Sequence, residues 1–227
     1  PCVMIKAVIF DMYETLVTLC YSEPYFRGAM AEDSKVPPEN FNEEWEKTSY
    51  AQSIGELSLE ESLAGTLKKL GCYSEDLFQE MVRKRKEFKR EVFNHIHPDI
   101  VPMLERLKKS GMKIGLISNC FSEEAEVIRQ SVLFPFFDAA LMSYEQGVRK
   151  PDQEIFLRCL KQLDVMAAEC LYVGDGGSRE LEVARELGMR PVQAVWYLIE
   201  GSIQPSGRIE DFPQAEAPMD VLEYLVG

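Results

Sequence analysis

A mostly apolar, partly β-branched run from Met4 to Phe10 stops abruptly at a carboxylate, Asp11. The run is too short for a helix and holds no Gly or Pro, so it predicts a short buried strand. From about Val17 to Val92 the spacing of apolar residues turns helical, with no convincing strand. Tyr25 to Asp33 reads as one short helix. Pro37 and Pro38 open a second, which carries Phe41, Trp45 and Tyr50 and is broken by Gly55. Ser58-Leu59-Glu60-Glu61 fits a capping box for a third helix, which runs to Gly71 with Leu59, Leu63, Leu67 and Leu70 on one face. Glu75 to Val92 is a fourth. After that the pattern alternates. Helices are predicted over Pro98–Ser110, Glu123–Leu133, Asp152–Leu163 and Arg179–Leu187, the last stopped by Gly188. Strands are predicted over Lys113–Ser118, Ala139–Met142, Cys170–Val173 and Pro191–Trp196. Such alternation implies a parallel, doubly wound sheet. The helical segment of about 75 residues is too long for a bare loop and reads as an inserted unit. Beyond Ile199 the tail is marked by Pro, Gly and Asp, with a last apolar turn at Val221, Leu222 and Leu225.

Composition narrows the picture. The chain has 227 residues, which suits one domain with an insertion or two small ones, and 46% of them are hydrophobic, enough to bury a core. Its formal net charge is −13, which argues against a nucleic-acid partner because phosphate backbones repel an acidic surface. The one basic run, Arg83 to Arg90, is broken by Glu87 and Phe88 and reads as the solvated face of a helix. No stretch approaches the ~20 apolar residues needed to span a bilayer, and the start does not read as a signal peptide. The cysteines at 2, 20, 72, 120, 159 and 170 form no CxxC pair and read as reduced packing thiols, so a cytoplasmic protein is expected, as monomer or homodimer. His95 and His97 form an HxH, but these are the only histidines and no Cys lies nearby, too few ligands for zinc.

Asp11 would sit at the carboxyl edge of the sheet, where open α/β folds bind ligands. Taken alone, it is either a nucleophile or a carboxylate that only caps a turn. Three later segments also stand at strand ends or helix starts: Leu116-Ile117-Ser118-Asn119, Val148-Arg149-Lys150-Pro151, and Val173-Gly174-Asp175 leading to Glu180. Together with Phe10-Asp11-x-Tyr13-x-Thr15-Leu16 they resemble, in order, the four motifs of the haloacid dehalogenase (HAD) superfamily, and the resemblance covers Ile5 to about Trp196. It implies a Rossmann-like three-layer α/β core from residues 1–16 and 93–227, with a helical cap domain at 17–92. It also implies roles. Asp11 would be the nucleophile and a Mg²⁺ ligand. The Tyr13 carbonyl and Asp175 would be the other protein ligands, and Glu180 a second acid that orients the metal or its waters. Oxygen-only ligands suit Mg²⁺. Ser118 and Asn119 would bind substrate phosphate, and Lys150 would stabilise Asp11 and the attacked phosphoryl group, with Arg149 as the fallback if the alignment slips by one. Arg27 is the cap cation expected to touch substrate.

Two positions depart from the superfamily's DxDGT motif: the second Asp is Tyr13 and the Gly is Glu14. In phosphatases of the family that second Asp protonates the leaving oxygen, help worth roughly 10²–10⁴-fold. A phenol with a pKa near ~10 is a poor substitute. Glu14 is expected to point to the opposite side from Tyr13, because adjacent residues of an extended chain diverge. Tyr at this place is similar to the 2-haloacid dehalogenases, whose halide leaves without an acid. Those enzymes lack the metal-binding Asp, carry a substrate-gripping Arg after a cap Trp where this chain has Trp45-Glu46, and keep Gly where this chain has Glu14. The leading expectation is a Mg²⁺-dependent phosphatase of a small phosphorylated molecule. The alternatives are a hydrolase of halogenated acids and a degenerate core that binds without turnover.

Overall fold

The computed structural model describes residues 3–199 and 207–226. Expectations for residues 1–2, 200–206 and 227 lie outside that range, Cys2 and part of the tail among them. The described residues form one parallel sheet of six strands in the order β3-β2-β1-β4-β5-β6. The strands are β1 (Ala7–Phe10), β2 (Lys113–Ser118), β3 (Ala139–Met142), β4 (Cys170–Gly174), β5 (Arg190–Ala194) and β6 (Gln214–Ala215). The insertion that follows β1 holds four helices: α1 (Arg27–Ser34), α2 (Pro38–Ser53), α3 (Leu59–Lys69) and α4 (Glu75–Val92). The others are α5 (Ile100–Lys109), α6 (Ser122–Gln130), the short α7 (Ser143–Gln146), α8 (Gln153–Leu163) and α9 (Glu180–Glu186). No helix among them is long and apolar enough to cross a membrane.

Strand β1 is the centre. Its backbone pairs with β2 on one side and β4 on the other, so all of it is buried. Its side chains alternate between two apolar layers. Val8 and Phe10 join Leu104 and Leu107 of α5 and, from the insertion, Phe41, Leu63 and Met81. Ala7 and Ile9 join Phe156 and Cys159 of α8 and Leu181 of α9. Helices on both faces of a parallel sheet give three layers. The strand order reverses between β1 and β4, and this switch point is where such sheets open a crevice for a ligand.

The insertion is tied down at both ends. Trp196 Nε1 donates to the Thr15 carbonyl (2.8 Å), and the Tyr197 hydroxyl donates to the Leu16 carbonyl (3.0 Å) while accepting from the His97 amide (2.9 Å). Its side lies on α6. Arg85 pairs with Glu123 (2.9 Å) and Lys89 with Glu124 (3.1 Å), all four side chains buried.

Some expected boundaries differ. The helix expected to reach Leu133 ends at Gln130, because Ser131 turns to extended backbone (ψ 160°). The last long strand ends at Ala194, and Trp196 and Tyr197 turn away to hold the insertion. The helix α7 and the strand β6 had no forecast.

Candidate active site

The chain leaves β1 through a tight turn built on one carbonyl. Met12 O accepts from the amides of Thr15 (3.3 Å), Leu16 (2.8 Å) and Val17 (3.1 Å). Inside it Glu14 sits at φ 60°, the left-handed region that glycine occupies without cost. That bend corrects the expectation for Glu14. The chain is no longer extended there, so Tyr13 and Glu14 both line the same cavity. The Glu14 carboxylate accepts from Thr18 Oγ1 (2.8 Å) and the Leu19 amide (2.9 Å).

Asp11 stands at the carboxyl end of β1, its amide bonded to the Val173 carbonyl of β4 (3.0 Å). Since Phe10 is in register with Val173, the residues that follow the two strands meet at the switch point. Asp11, Asp175 and Glu180 each bring a carboxylate oxygen within 4.8 Å of the other two. Against them stands one ammonium. Lys150 Nζ bonds Asp11 Oδ1 (3.0 Å), Glu180 Oε2 (2.7 Å), the Ile117 carbonyl (3.0 Å) and the Tyr172 hydroxyl (3.3 Å). Arg149 is turned elsewhere, with its guanidinium over the Tyr50 ring and bonded to Ser53.

The electrostatics follow from that crowding. Burial, then Glu180, pushes the Asp11 carboxyl up to about 7 against the pull of Lys150. Burial, then Glu180 and Asp11, pushes Asp175 up to about 9. Burial acts to lower Lys150, but Asp11 and Glu180 outweigh it and hold the ammonium above its ordinary value. Three crowded carboxyl groups share one ammonium, so ionising them all calls for further positive charge, which an oxygen-seeking divalent cation fits. The oxygens divide by role. Glu180 uses Oε1 for the Gly176 amide (3.0 Å) and Oε2 for Lys150 and Tyr172. Asp11, Asp175 and Glu180 together could hold a cation, with both Glu180 oxygens already engaged in hydrogen bonds. Gly174 makes room for this: a Cβ there would come 2.2 Å from Glu180 Oε1.

The other expected residues separate. Asn119 clamps the Lys150 backbone, accepting from its amide and donating to its carbonyl (both 2.9 Å), and it reaches the cavity wall. Ser118 is fully buried, with a hydroxyl that has no hydrogen-bond partner. Arg27 does not join the site. It is exposed, pairs with Glu46 (3.3 Å) on α2, and is not among the described residues of the cavity wall. The Tyr13 hydroxyl is buried and lacks a hydrogen-bond partner. Burial, with Glu124 beside it, raises its pKa well above the usual phenol value, and Lys89 lies 5.5 Å over its ring.

Two residues escaped the sequence reading. The Tyr172 hydroxyl donates to Glu180 (2.7 Å), and Gln193 Nε2 donates to the Asp175 carbonyl (2.9 Å). The available signal was a polar side chain inside a strand that should be buried, since such groups must find partners.

The cavity over Asp11 has a volume of about 530 Å³, within the range of small-ligand sites. A family model described as haloacid dehalogenase-like hydrolase matches residues 5–188. A glyceraldehyde 3-phosphate phosphatase of Methanocaldococcus jannaschii is 35% identical over 131 residues, 57% of this chain and 54% of that one. The chain thus spans about half the length of that relative. A phosphoglycolate phosphatase of Aquifex aeolicus is 26% identical over 65% of this chain and 67% of its own. Among solved structures, a 2-haloacid dehalogenase from Pseudomonas syringae pv. Tomato DC3000 superposes with a TM-score of 0.71 at 25% identity over 98% of each chain. A HAD phosphatase from Thermococcus onnurineus shares the fold, with a TM-score of 0.66 at 19% identity over 98% of this chain and 99% of that one. The family model covers most of the chain, and its span includes Asp11, Lys150 and Asp175: this protein belongs to the haloacid dehalogenase-like hydrolases.

Proposed function

We propose that this protein is a Mg²⁺-dependent phosphatase of small phosphate monoesters that works through a phosphorylated Asp11, with residues 17–92 acting as a cap over the core of residues 1–16 and 93–227. The observation that carries the reading is the meeting of Asp175 with Asp11 at the switch point, beside Lys150. Asp11 and Asp175, with the Tyr13 carbonyl, would hold the ion, which supplies the positive charge that lets a carboxylate approach a phosphate. Relatives named as phosphatases support the same reading.

The chain's own groups divide the work. Lys150 and the Met12 amide hold Asp11 Oδ1, which fixes the carboxylate and leaves Oδ2 for attack. An Asp11–phosphorus bond forms, the ester oxygen leaves with its bonding electrons, and water then attacks phosphorus to release inorganic phosphate and regenerate the carboxylate. The leaving oxygen takes its proton from solvent, because the Tyr13 hydroxyl is buried with a raised pKa and the Glu14 carboxylate is engaged by Thr18 and Leu19.

Dehalogenation through an aspartyl ester is favoured by Tyr13 and by the Pseudomonas syringae neighbour. It is disfavoured by Asp175. Rates on 4-nitrophenyl phosphate and 2-chloropropionate, with and without Mg²⁺, separate the two. The expected result is phosphate release that a chelator abolishes; halide release that is indifferent to chelator would overturn the proposal.

A further inference from the structure

One wall of the cavity over Asp11 is built from the turn that leads into the insertion. Leu19, Cys20, Pro24 and Phe26 line it. Among the described lining residues the only cation is Lys150, and its ammonium is taken up by Asp11, Glu180 and the Ile117 carbonyl. The basic side chains of the insertion are directed elsewhere. Arg27 pairs with Glu46. Lys89 lies behind the aromatic residues of the wall, its ammonium 5.5 Å from the Tyr13 ring centre and 6.0 Å from that of Phe26, and it is bonded to Glu124. Glu14 adds negative charge to the cavity, held in place by Thr18 and the Leu19 amide.

A substrate's phosphate is met by Lys150 and the cation site. A second anionic group on the same molecule, such as a carboxylate, would lose its water and find no counter-charge, with Glu14 on the same lining. Burying a charge without a partner is costly, whereas an uncharged aryl or alkyl group gains by leaving water. We propose that the cavity selects phosphate monoesters whose organic part is uncharged and largely apolar, and that Glu14 is the residue that turns away a second anion. The assignment rests on the phosphatase reading for its chemistry, but the binding preference can be measured without turnover.

The test is calorimetry in Mg²⁺ buffer with two non-hydrolysable probes of one shape, benzylphosphonate and 4-carboxybenzylphosphonate. The neutral probe should bind about tenfold tighter or more, since one like-charge contact at a few ångströms in a partly wet site is worth at least that. Glu14→Gln should narrow the gap, and Leu19→Arg, which adds a cation to the apolar wall, should close or reverse it. If Glu14→Gln fails to fold, the Leu19→Arg arm carries the mutational test alone. Equal or tighter binding of the carboxylated probe to the wild type, or no binding of either at millimolar concentration, overturns the proposal. A parallel assay of phenyl phosphate and 4-carboxyphenyl phosphate tells the two readings apart. Probe discrimination without hydrolysis of either ester rejects the phosphatase reading and leaves the cavity preference standing; hydrolysis of both at equal efficiency with equal probe binding does the reverse.

Discussion

Tyr13 is where the site departs most from a phosphatase. Its ring lies over Lys89 and its hydroxyl is buried, so it offers no proton to a leaving group. Esters of acidic alcohols should therefore be hydrolysed far better than alkyl phosphates. Tyr13→Asp should raise kcat/KM for alkyl phosphates most, by up to the roughly 10²–10⁴-fold that general acid–base help supplies. Steady-state rates on 4-nitrophenyl and alkyl phosphates check this, and an unchanged ratio between them would contradict it. At this scale the sequence was readable where a charged residue interrupts a strongly patterned stretch. Asp11, Lys150 and Asp175 each stand just past a strand or before a helix, and the fold brings Lys150 to Asp11 at 3.0 Å. Arg27, expected at the substrate, pairs instead with Glu46, 19 positions along on another helix, a partner that local spacing does not announce. Tyr172 and Gln193 were missed for a related reason: their hydrogen bonds are made to groups beside their own strands, and residue type alone does not name those partners.

Helix α3 shows an element whose start is written in four residues. The Ser58 hydroxyl accepts from the Glu61 amide (3.1 Å), and the Glu61 carboxylate accepts from the Ser58 amide (2.8 Å), as the Ser-Leu-Glu-Glu spacing implied. Those Ser58 contacts hold the Glu61 carboxyl below its usual value of 4.5. A depressed acid contributes its stabilisation above its unfolded pKa, and that contribution is lost as pH falls through the lower, folded value. Amide protection at the start of α3, measured by NMR hydrogen exchange, should accordingly drop as pH falls below 4.5, and Glu61→Gln should remove most of that pH dependence. Ser58→Ala should cost about 1 kcal/mol near neutral pH. Protection that does not change with pH in the wild type would contradict the assignment. Elements defined by local spacing were legible throughout, and α4 and β2 match their expected limits. β6 was not: it has two residues and exists only by pairing Gln214 and Ala215 with Gln193 and Ala194 at the sheet edge.

At the scale of the molecule, the insertion and the core share one apolar cluster and a seam of buried charge. Lys89 and Glu124 sit on opposite sides of that seam, 35 positions apart, so no local pattern announced the pair. Removing one partner leaves the other charge buried and unpaired. Lys89→Met should cost roughly 3–5 kcal/mol in urea unfolding, and the double change Lys89→Met/Glu124→Leu should recover most of it. A double variant no more stable than the single would show that the pair does not act as a unit. The same seam keeps the insertion against α6, beside the turn that carries Tyr13 and Glu14 and closes one side of the cavity over Asp11. On the proposed function, this site transfers a phosphoryl group to Asp11. The most direct measurement is mass spectrometry of enzyme acid-quenched during turnover of 4-nitrophenyl phosphate in Mg²⁺. A phosphoryl group should be found on Asp11, absent when Mg²⁺ is chelated and absent in Asp11→Asn. Sustained hydrolysis with Asp11 unmodified at every quench time, or an ester on Asp11 formed from 2-chloropropionate and no phosphoryl adduct, would contradict it.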